Sequence, residues 1–404
     1  MATTTTVTEA PASSRPAGTT PSGIPVPDGM NPEVLLVQRG RAELEFLDSA
    51  REALAPLRAR VRERIESSPR VAEVWNSDES PEARDIVRLR EATDEVLAGC
   101  PEHAVIGAAL RWSRRTLTPR AVDAFTAQRD ELLPMATAPA PEKIIDRVAE
   151  RGGKSVPRYW RYEFHGTTGG WDGHEYMGFI HHELVYRYML VPAYGDIFTQ
   201  RAAVADAAPR DDYQAICDLG CGTGQYTLKL ADRYPNAKIT GVDLALAALQ
   251  YAQRRAADRG LDWQLVRAPA EDTGLPAESQ DLVTSFILLH EVPPHAIKKI
   301  FAEAFRLLRP GGDMVFSDVA PYHNRSAYLA FLDDWDAEHG NEPWWRTSAT
   351  IDLAETAREV GFTDVHQKAL GPNSYPWLTI ARKPESARTA EAGQADSPQE
   401  GPNA

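Results

Sequence analysis

The stretch AICDLGCGTG, residues 215–224, joins an apolar strand to a glycine-rich turn that opens a helix. Its glycines fall at positions 220, 222 and 224, and they let the main chain approach a ligand that a Cβ atom would push away. A dinucleotide-binding turn relies on the same physics but places its third glycine three residues after the second. Asp218 adds a carboxylate at the strand end, where it can accept a hydrogen bond from a ligand ammonium. The stretch therefore predicts a site for a small cofactor other than NAD.

Strand and helix patterns alternate from residue 215 to residue 382. Such alternation predicts a parallel sheet covered on both faces, and the short connection at 371–374 makes the last two strands antiparallel. The predicted strands are 215–220, 237–243, 263–268, 282–288, 313–318, 363–370 and 376–382. The predicted helices are 224–233, 245–258, 294–307 and 353–360. We expect an α/β fold with a Rossmann-like seven-stranded sheet that ends in a C-terminal antiparallel hairpin.

The region before this sheet, 31–199, is predicted to be mostly helical, because apolar residues such as Leu44, Leu47 and Leu54 recur at helical spacing. Its last part, about 159–198, is rich in aromatic residues and is a candidate lid. Prolines are expected to mark the connections between the helices at positions 101, 119, 134, 139 and 141. The ends, 1–30 and 384–404, contain little to bury and are predicted to be disordered tails, which leaves 200–383 for the cofactor domain.

Asp243 ends the second predicted strand, where a carboxylate can accept both hydroxyls of a ribose. Together with the stretches 215–224, 281–293 and 308–312, it makes residues 213–383 resemble the class I S-adenosylmethionine-dependent methyltransferase family, of the broad type that includes the ubiquinone and menaquinone methylases. The resemblance implies S-adenosyl-L-methionine as the cofactor. It implies methionine contacts at Asp218, Gly220, Gly222 and Gly224, a ribose contact at Asp243, and adenine contacts at Ala270, Glu271 and Asp272. Many relatives carry an acid where this chain has Pro269, so Glu271 or Asp272 is the expected substitute.

Composition narrows the range of partners. The 404 residues include 44 Lys and Arg against 58 Asp and Glu, and the net charge of -14 opposes binding to phosphate backbones. No apolar run approaches the roughly 18 residues of a membrane span. Three cysteines without paired spacing favour a reducing, cytoplasmic setting. We therefore expect a small-molecule substrate, with no nucleic acid and no membrane.

Aromatic residues before the cofactor domain are candidates for the acceptor site, since aromatic walls suit a planar or cationic molecule. The candidate substrate contacts are Trp160, Tyr162, His165, Trp171, Tyr176 and, after the fifth strand, Tyr322. The alternative is that these rings only pack the helical region onto the sheet. The helical region is either a lid or a dimer interface, so a homodimer is one of the expected states of the protein.

Two histidines are candidate catalytic residues. His290 and His323 follow the fourth and fifth strands at the carboxyl edge of the sheet, where ligands bind in open α/β folds. A histidine there helps when the acceptor has to lose a proton, and a purely structural role is the alternative. The spacing of the histidines between 165 and 182 matches no standard zinc or iron arrangement, so no metal is expected.

The leading hypothesis is therefore S-adenosylmethionine-dependent methylation of a small molecule at oxygen, nitrogen or carbon. One alternative keeps the cofactor but performs elimination or cyclisation. Others are a non-catalytic binding module, against which the intact glycines and aspartates argue, and a protein methylase, which the charge does not exclude.

Overall fold

The computed structural model describes residues 26, 29–75, 84–137, 143–154, 156–167, 169–191 and 197–385. The predicted tails, 1–30 and 384–404, lie almost entirely outside these residues. Val26 and Met30 fall within the first predicted tail and are buried against Ile197 and Phe198. Packed residues therefore begin before residue 31.

Eight strands form one sheet in the described part of the chain. They are β1 Ile145–Asp146, β2 Ala215–Leu219, β3 Lys238–Asp243, β4 Gln264–Arg267, β5 Gln280–Phe286, β6 Leu308–Asp318, β7 Thr363–Ala369 and β8 Trp377–Arg382. Their order is β1-β4-β3-β2-β5-β6-β8-β7, and β8 is antiparallel to both of its neighbours. The α/β class, the seven predicted strands and the closing hairpin are confirmed. The predicted count of seven omitted β1, because a two-residue edge strand leaves no periodic pattern.

Most of the helices precede the sheet or connect its strands. They are α1 Gln38–Glu52, α2 Ala55–Glu66, α3 Pro69–Trp75, α4 Ile86–Leu97, α5 Pro101–Ala127, α6 Arg129–Ala136, α7 Arg147–Glu150, α8 Met177–Phe179, α9 Ile197–Asp206, α10 Gln225–Arg233, α11 Leu246–Asp258, α12 Pro294–Leu307, α13 Ala327–Gly340, α14 Trp345–Ser348 and α15 Leu353–Val360. The four helices predicted between strands correspond to α10, α11, α12 and α15, within one residue at each end.

Two of the prolines that were predicted to mark connections between helices lie inside helices instead. Pro119 is inside α5 and Pro134 is inside α6, so neither marks a connection. A proline removes one helical hydrogen bond and bends the helix, which packing can offset. Neighbours supply that packing for α5, which contacts α1, α2 and the segment Ile180–Leu190.

The described residues form five clusters of buried side chains, and four of them pack helices against the sheet or against one another. Alternate residues of β2 point into two clusters, one on each face of the sheet, as with Ile216 and Cys217. A third cluster joins α3 and α4 to α13, with Trp75 and Phe331 at its centre. A fourth joins α1, α5 and Ile180–Leu190 to Tyr251 of α11. The N-terminal helices thus contact the sheet domain through two separate clusters.

The contact between α8 and α11 is a close approach of two main chains. Gly178 lies in α8, and a Cβ atom placed on it would stand 2.3 Å from the carbonyl oxygen of Ala247 and 2.8 Å from the Cα of Ala248. Both partners are main-chain atoms that cannot rotate away. α8 continues directly into Ile180–Leu190, a π-helix of 11 residues. The glycine therefore determines how closely this segment approaches the cofactor domain.

We predict that Gly178→Ala lowers the free energy of unfolding by about 1–3 kcal/mol, because the added methyl group overpacks a main-chain contact. Gly107→Ala in α5 is the matched control. Its Cβ would meet the movable end of Arg111 at 3.1 Å and the ring of Trp335 at 3.2 Å, and alanine favours a helix by up to about 1 kcal/mol. Denaturant unfolding of both variants checks the prediction, and equal stability of the two would contradict it.

Candidate functional site

A pocket opens where β2, β3, β4 and β5 end. β2 is paired with β3 on one side and β5 on the other, so the chain connections diverge at this point, where ligands bind in open parallel sheets. The sheet side of the pocket includes Gly220, Gly222, Asp243, Ala270 and Leu288. The opposite side comes from the helical region and includes Trp160, Phe164, Trp171, Met177, His181, Tyr186 and Arg201. The pocket therefore has two walls from different parts of the sequence.

The three glycines of the turn are required for different physical reasons. Gly220, Gly222 and Gly224 all have positive φ angles, of 70°, 52° and 75°, which favour glycine. A Cβ on Gly222 would meet no protein atom within 4 Å, so the space beside it is open. A Cβ on Gly224 would stand 2.6 Å from the ring of Trp263. Gly220 and Gly222 line the pocket, whereas Gly224 is required by packing.

Asp218 is buried beneath this turn with one unpaired oxygen. The Thr227 hydroxyl donates to its Oδ2 at 2.7 Å, and Oδ1 has no hydrogen-bond partner. Burial raises the pKa of Asp218 from 3.8 to about 7. An unsatisfied buried acceptor is energetically unfavourable until a donor reaches it. Asp218 itself is not among the residues that line the pocket, but Gly220 and Gly222 of the turn above it are, so its free oxygen is a candidate partner for the ammonium group of the cofactor.

Arg201 lines the helical wall of the pocket, opposite the glycine turn, and was not predicted from the sequence. It is the only arginine or lysine among the described residues that line the pocket. Its side chain is 4% exposed, donates from Nη1 to the carbonyl of Ile197 at 3.0 Å, and lies 4.4 Å from the ring centre of Phe286. A buried guanidinium is a good partner for a carboxylate. Together with Asp218 it supplies opposite charges for a zwitterionic amino-acid end.

Asp243 ends β3 and lines the pocket. Its Oδ2 accepts from the Gly222 amide at 2.8 Å and its Oδ1 accepts from the Ala245 amide at 2.8 Å. Although these bonds lower the pKa of Asp243, burial raises it to about 6. Each carboxylate oxygen retains a second acceptor position, which suits the hydroxyls of a ribose.

The three residues expected around the adenine lie in different environments. Ala270 lines the pocket. Glu271 and Asp272 are absent from the lining: Glu271 accepts from the Tyr159 hydroxyl at 2.6 Å, and Asp272 pairs with Arg151 at 2.6 Å. The other oxygen of Glu271 is buried and has no hydrogen-bond partner, whereas neither oxygen of Asp272 is in that state.

Only some of the expected substrate contacts line the pocket. Trp160 and Trp171 line the pocket, whereas Tyr162, His165, Tyr176 and Tyr322 do not. The hydroxyl of the buried Tyr322 donates to Asp334 at 3.0 Å. Phe164, Met177, His181, Tyr186 and Glu291 complete this wall and were not among the expected contacts. The first four lie within the aromatic segment 159–198, whereas Glu291 follows β5 next to His290. The segment therefore predicted the region of this wall but not which of its residues line the pocket.

His165 lies behind the wall between two carboxylates. Its Nδ1 pairs with Glu342, and its Nε2 is 3.3 Å from Oε1 of Glu291. Burial lowers the pKa of His165, but Glu342 and Glu291 outweigh it and raise the pKa well above its usual value. Trp171 donates to the other oxygen of Glu291 at 3.1 Å. Glu291 is therefore already bonded through both oxygens.

His290 and His323 lie outside the pocket lining. His290 is 4% exposed and its Nδ1 is 2.8 Å from Asp318, which also accepts from the amides of Leu289 and Val319. Burial lowers the pKa of His290, but Asp318 outweighs it and raises the pKa to about 9. A protonated, ion-paired imidazole cannot accept a further proton. The arrangement fits a residue that ties the loop after β5 to the loop after β6.

The described residues contain no group of three or more histidine, cysteine, aspartate or glutamate side chains arranged to hold a metal ion. In the same part of the chain, no helix has the length and apolar character needed to cross a membrane.

The fold and the site together define a Rossmann-like protein built around an adenosyl cofactor with an amino-acid end. Comparison with known proteins agrees. A family model described as a methyltransferase domain matches residues 216–312. The ubiquinone/menaquinone biosynthesis C-methyltransferase UbiE of Desulfotalea psychrophila is 30% identical over 172 residues, which are 38% of this chain and 67% of that protein. The chain belongs to the class I S-adenosylmethionine-dependent methyltransferase family.

Other relatives carry different names. Trans-aconitate 2-methyltransferase of Streptomyces coelicolor is 36% identical over 143 residues, 34% of this chain and 46% of its own. Methyltransferase ungE' of Aspergillus campestris is 29% identical over 163 residues, 32% of this chain and 48% of its own. The chain thus spans about half the length of these two relatives.

We predict that Asp218→Asn changes the pH dependence of stability. With a pKa of about 7 against 3.8, native Asp218 keeps a proton that the unfolded chain releases. The free energy of unfolding of the unmodified protein should therefore fall as the pH rises from about 4 to 7, by at most about 4 kcal/mol. The asparagine variant lacks this loss, so it should gain stability relative to the unmodified protein as the pH rises.

Denaturant titrations at pH 4, 6 and 8 measure the difference. Asp262→Asn, at an exposed position, is the control and should show no such trend. A difference between the Asp218 variant and the unmodified protein that stays constant with pH would contradict the prediction.

Proposed function

We propose that this protein transfers the methyl group of S-adenosyl-L-methionine to a small-molecule acceptor. The observation that carries the proposal is the presence, at one site, of an unsatisfied buried carboxylate oxygen on Asp218 and a pocket-lining guanidinium on Arg201. Asp243 and the open space beside Gly222 complete the cofactor side. Family membership supports the same assignment.

The residues have separate tasks in the proposed reaction. Asp218 would hold the ammonium of the cofactor, Arg201 its carboxylate and Asp243 its ribose. The bound sulfonium supplies an activated methyl group. The aromatic residues Trp160 and Trp171 would orient the acceptor and exclude water, which is most of what such a displacement requires from a protein.

The pocket has walls from two parts of the chain, which favours a small molecule over a protein chain. The rings of Trp171 and His181 lie 4.6 Å apart, and those of His181 and Tyr186 lie 5.0 Å apart. These rings pack edge to face, at interplanar angles of 87° and 78°, and give the pocket an aromatic wall that suits an aromatic acceptor.

We also propose a cytoplasmic location and a role in small-molecule metabolism. Cys100, Cys217 and Cys221 are buried and unpaired, which suits a reducing compartment. The net charge of -14 supports a substrate other than nucleic acid. A homodimer is part of the proposal because Phe46 and Trp112, on α1 and α5, are 61% and 46% exposed. Sedimentation of the purified protein measures its oligomeric state.

The direct test is incubation with methyl-labelled S-adenosylmethionine and a panel of acceptors. We expect label in the acceptor and formation of S-adenosylhomocysteine. Methylthioadenosine instead would indicate elimination or cyclisation. Failure of S-adenosylhomocysteine to bind in calorimetry would leave a binding module with a different ligand.

We predict that Arg201→Met and Asp243→Asn each weaken the binding of S-adenosylhomocysteine by about 10–100-fold, because a hydrogen bond to a charged group contributes about 1.5–3 kcal/mol. Calorimetric titration measures the effect. Arg158→Met, at an exposed position that does not line the pocket, is the control. Unchanged affinity in either test variant would remove that residue from the cofactor site.

A further inference from the structure

His181 is the histidine that faces the pocket. It is half-buried and packs edge-on against Trp171, at 4.6 Å between ring centres, and against Tyr186, at 5.0 Å. No other histidine is among the described residues that line the pocket. Its position follows from the helix that carries it.

The π-helix Ile180–Leu190 sets which residues face the pocket. Its hydrogen bonds link residues five apart, so His181 and Tyr186 fall on one face. In an α-helix the same two residues would be about 140° apart. His182 faces the other way, where its Nε2 is 3.0 Å from the Gly29 carbonyl and its Nδ1 is 3.1 Å from the Thr223 hydroxyl. Helices of this type recur at functional sites.

The ring nitrogens of His181 form no hydrogen bond with any described residue, unlike those of its neighbours. His165 bonds to Glu291 and Glu342, and His174 Nδ1 accepts from the Tyr176 amide at 3.1 Å. Burial, with a smaller contribution from His165, lowers the pKa of His181 to about 3. The ring is therefore neutral at physiological pH and has one lone pair open to a donor.

We propose that His181 is a catalytic residue that accepts a hydrogen bond, and then the proton, from a hydroxyl group on a planar aromatic acceptor. The inference rests on the methyl transfer proposed above. The bond between the methyl carbon and sulfur breaks, its electron pair stays on sulfur, and the acceptor oxygen forms the new bond to carbon. The hydroxyl proton passes to His181 and from there to solvent.

Charge explains why a weakly basic imidazole suffices. The reaction removes the positive charge of the sulfonium and places one on His181, so the number of charges in the dry pocket stays the same. A carboxylate acceptor would need no base and would face the negative charge of Glu291. An ammonium acceptor would need a free counter-charge, but His165 and Trp171 already bond to both oxygens of Glu291. A neutral hydroxyl is the group that matches a neutral acceptor nitrogen.

Three probes with the same ring system test the acceptor class: 2-naphthol, 2-naphthoate and 2-aminonaphthalene. Each is titrated into the protein saturated with S-adenosylhomocysteine. We expect 2-naphthol to bind at least about tenfold more tightly than the other two, because naphthoate has no donor for the unpaired nitrogen and the N–H of the neutral arylamine is a weaker donor than the naphthol O–H. His181→Phe should abolish this preference, whereas His181→Gln, which still offers an acceptor oxygen, should keep most of it. Preference for the amine or the carboxylate, or no binding of 2-naphthol, overturns the proposal.

The fluorescence of bound 2-naphthol tests proton transfer without turnover. Excited naphthol is a strong acid, so naphtholate emission from the bound molecule requires a proton acceptor in contact with the hydroxyl, either His181 or water, and the variants distinguish the two. We expect naphtholate emission from the unmodified protein and neutral emission from both His181 variants. His174→Gln, in the same segment but outside the pocket, is the control and should resemble the unmodified protein. Naphtholate emission that survives His181→Phe overturns the proposal.

Turnover separates proton transfer from binding. With labelled cofactor and 2-naphthol, His181→Gln should lower kcat about 100-fold with little change in KM, the usual loss when a general base is removed. If either His181 variant loses tenfold in affinity for S-adenosylhomocysteine, the residue belongs to the cofactor site and the proposal fails. If the unmodified protein does not bind S-adenosylhomocysteine, the proposed function fails first. Normal binding without naphthol methylation overturns only this inference.

Discussion

A buried carboxylate with one unsatisfied oxygen is the constraint on which the rest of this site depends. Asp218 lies at the end of the central strand, is 1% exposed, and leaves one oxygen without a donor. Isolated in this way it is unfavourable for stability, and burial holds its pKa near 7. A ligand with a positive charge relieves that strain. The glycines above it keep the approach open, and Arg201 supplies the opposite charge nearby. Asp218 therefore lowers the stability of the ligand-free protein and, through the same unsatisfied oxygen, favours the binding of a zwitterion.

The second wall of the pocket depends on how the N-terminal helices dock. Gly178 allows α8 to contact the main chain of α11 directly, and the π-helix that follows turns His181 and Tyr186 toward the sheet. Behind the π-helix, His182 bonds to Thr223 of the glycine turn. The cofactor turn and the acceptor wall are thus connected through one helix. A shift of that helix would change both sides of the pocket together.

Four histidines show how strongly environment decides the chemistry of a residue type. His290 and His165 are held cationic by neighbouring carboxylates, and His182 is neutral and bonded on both nitrogens. His181 is neutral and unbonded within the described residues. Only a group in the last state can accept a proton from a ligand. Position after a strand drew attention to His290, yet the structure places Asp318 against it and leaves the pocket to His181.

The sequence by itself determined the order of the cofactor-site features along the chain. An apolar strand contains Asp218, a glycine turn follows it, and Asp243 ends the next strand. These features are local, because a turn conformation and a strand end are dictated by residues a few positions apart. It also determined the four helices between strands and the closing hairpin. What only the tertiary structure decided is the pairing of distant groups, such as Arg201 with the pocket and His290 with Asp318. The π-helical register that selects His181 over His182 belongs there as well, because it arises from packing between helices rather than from the spacing of apolar residues.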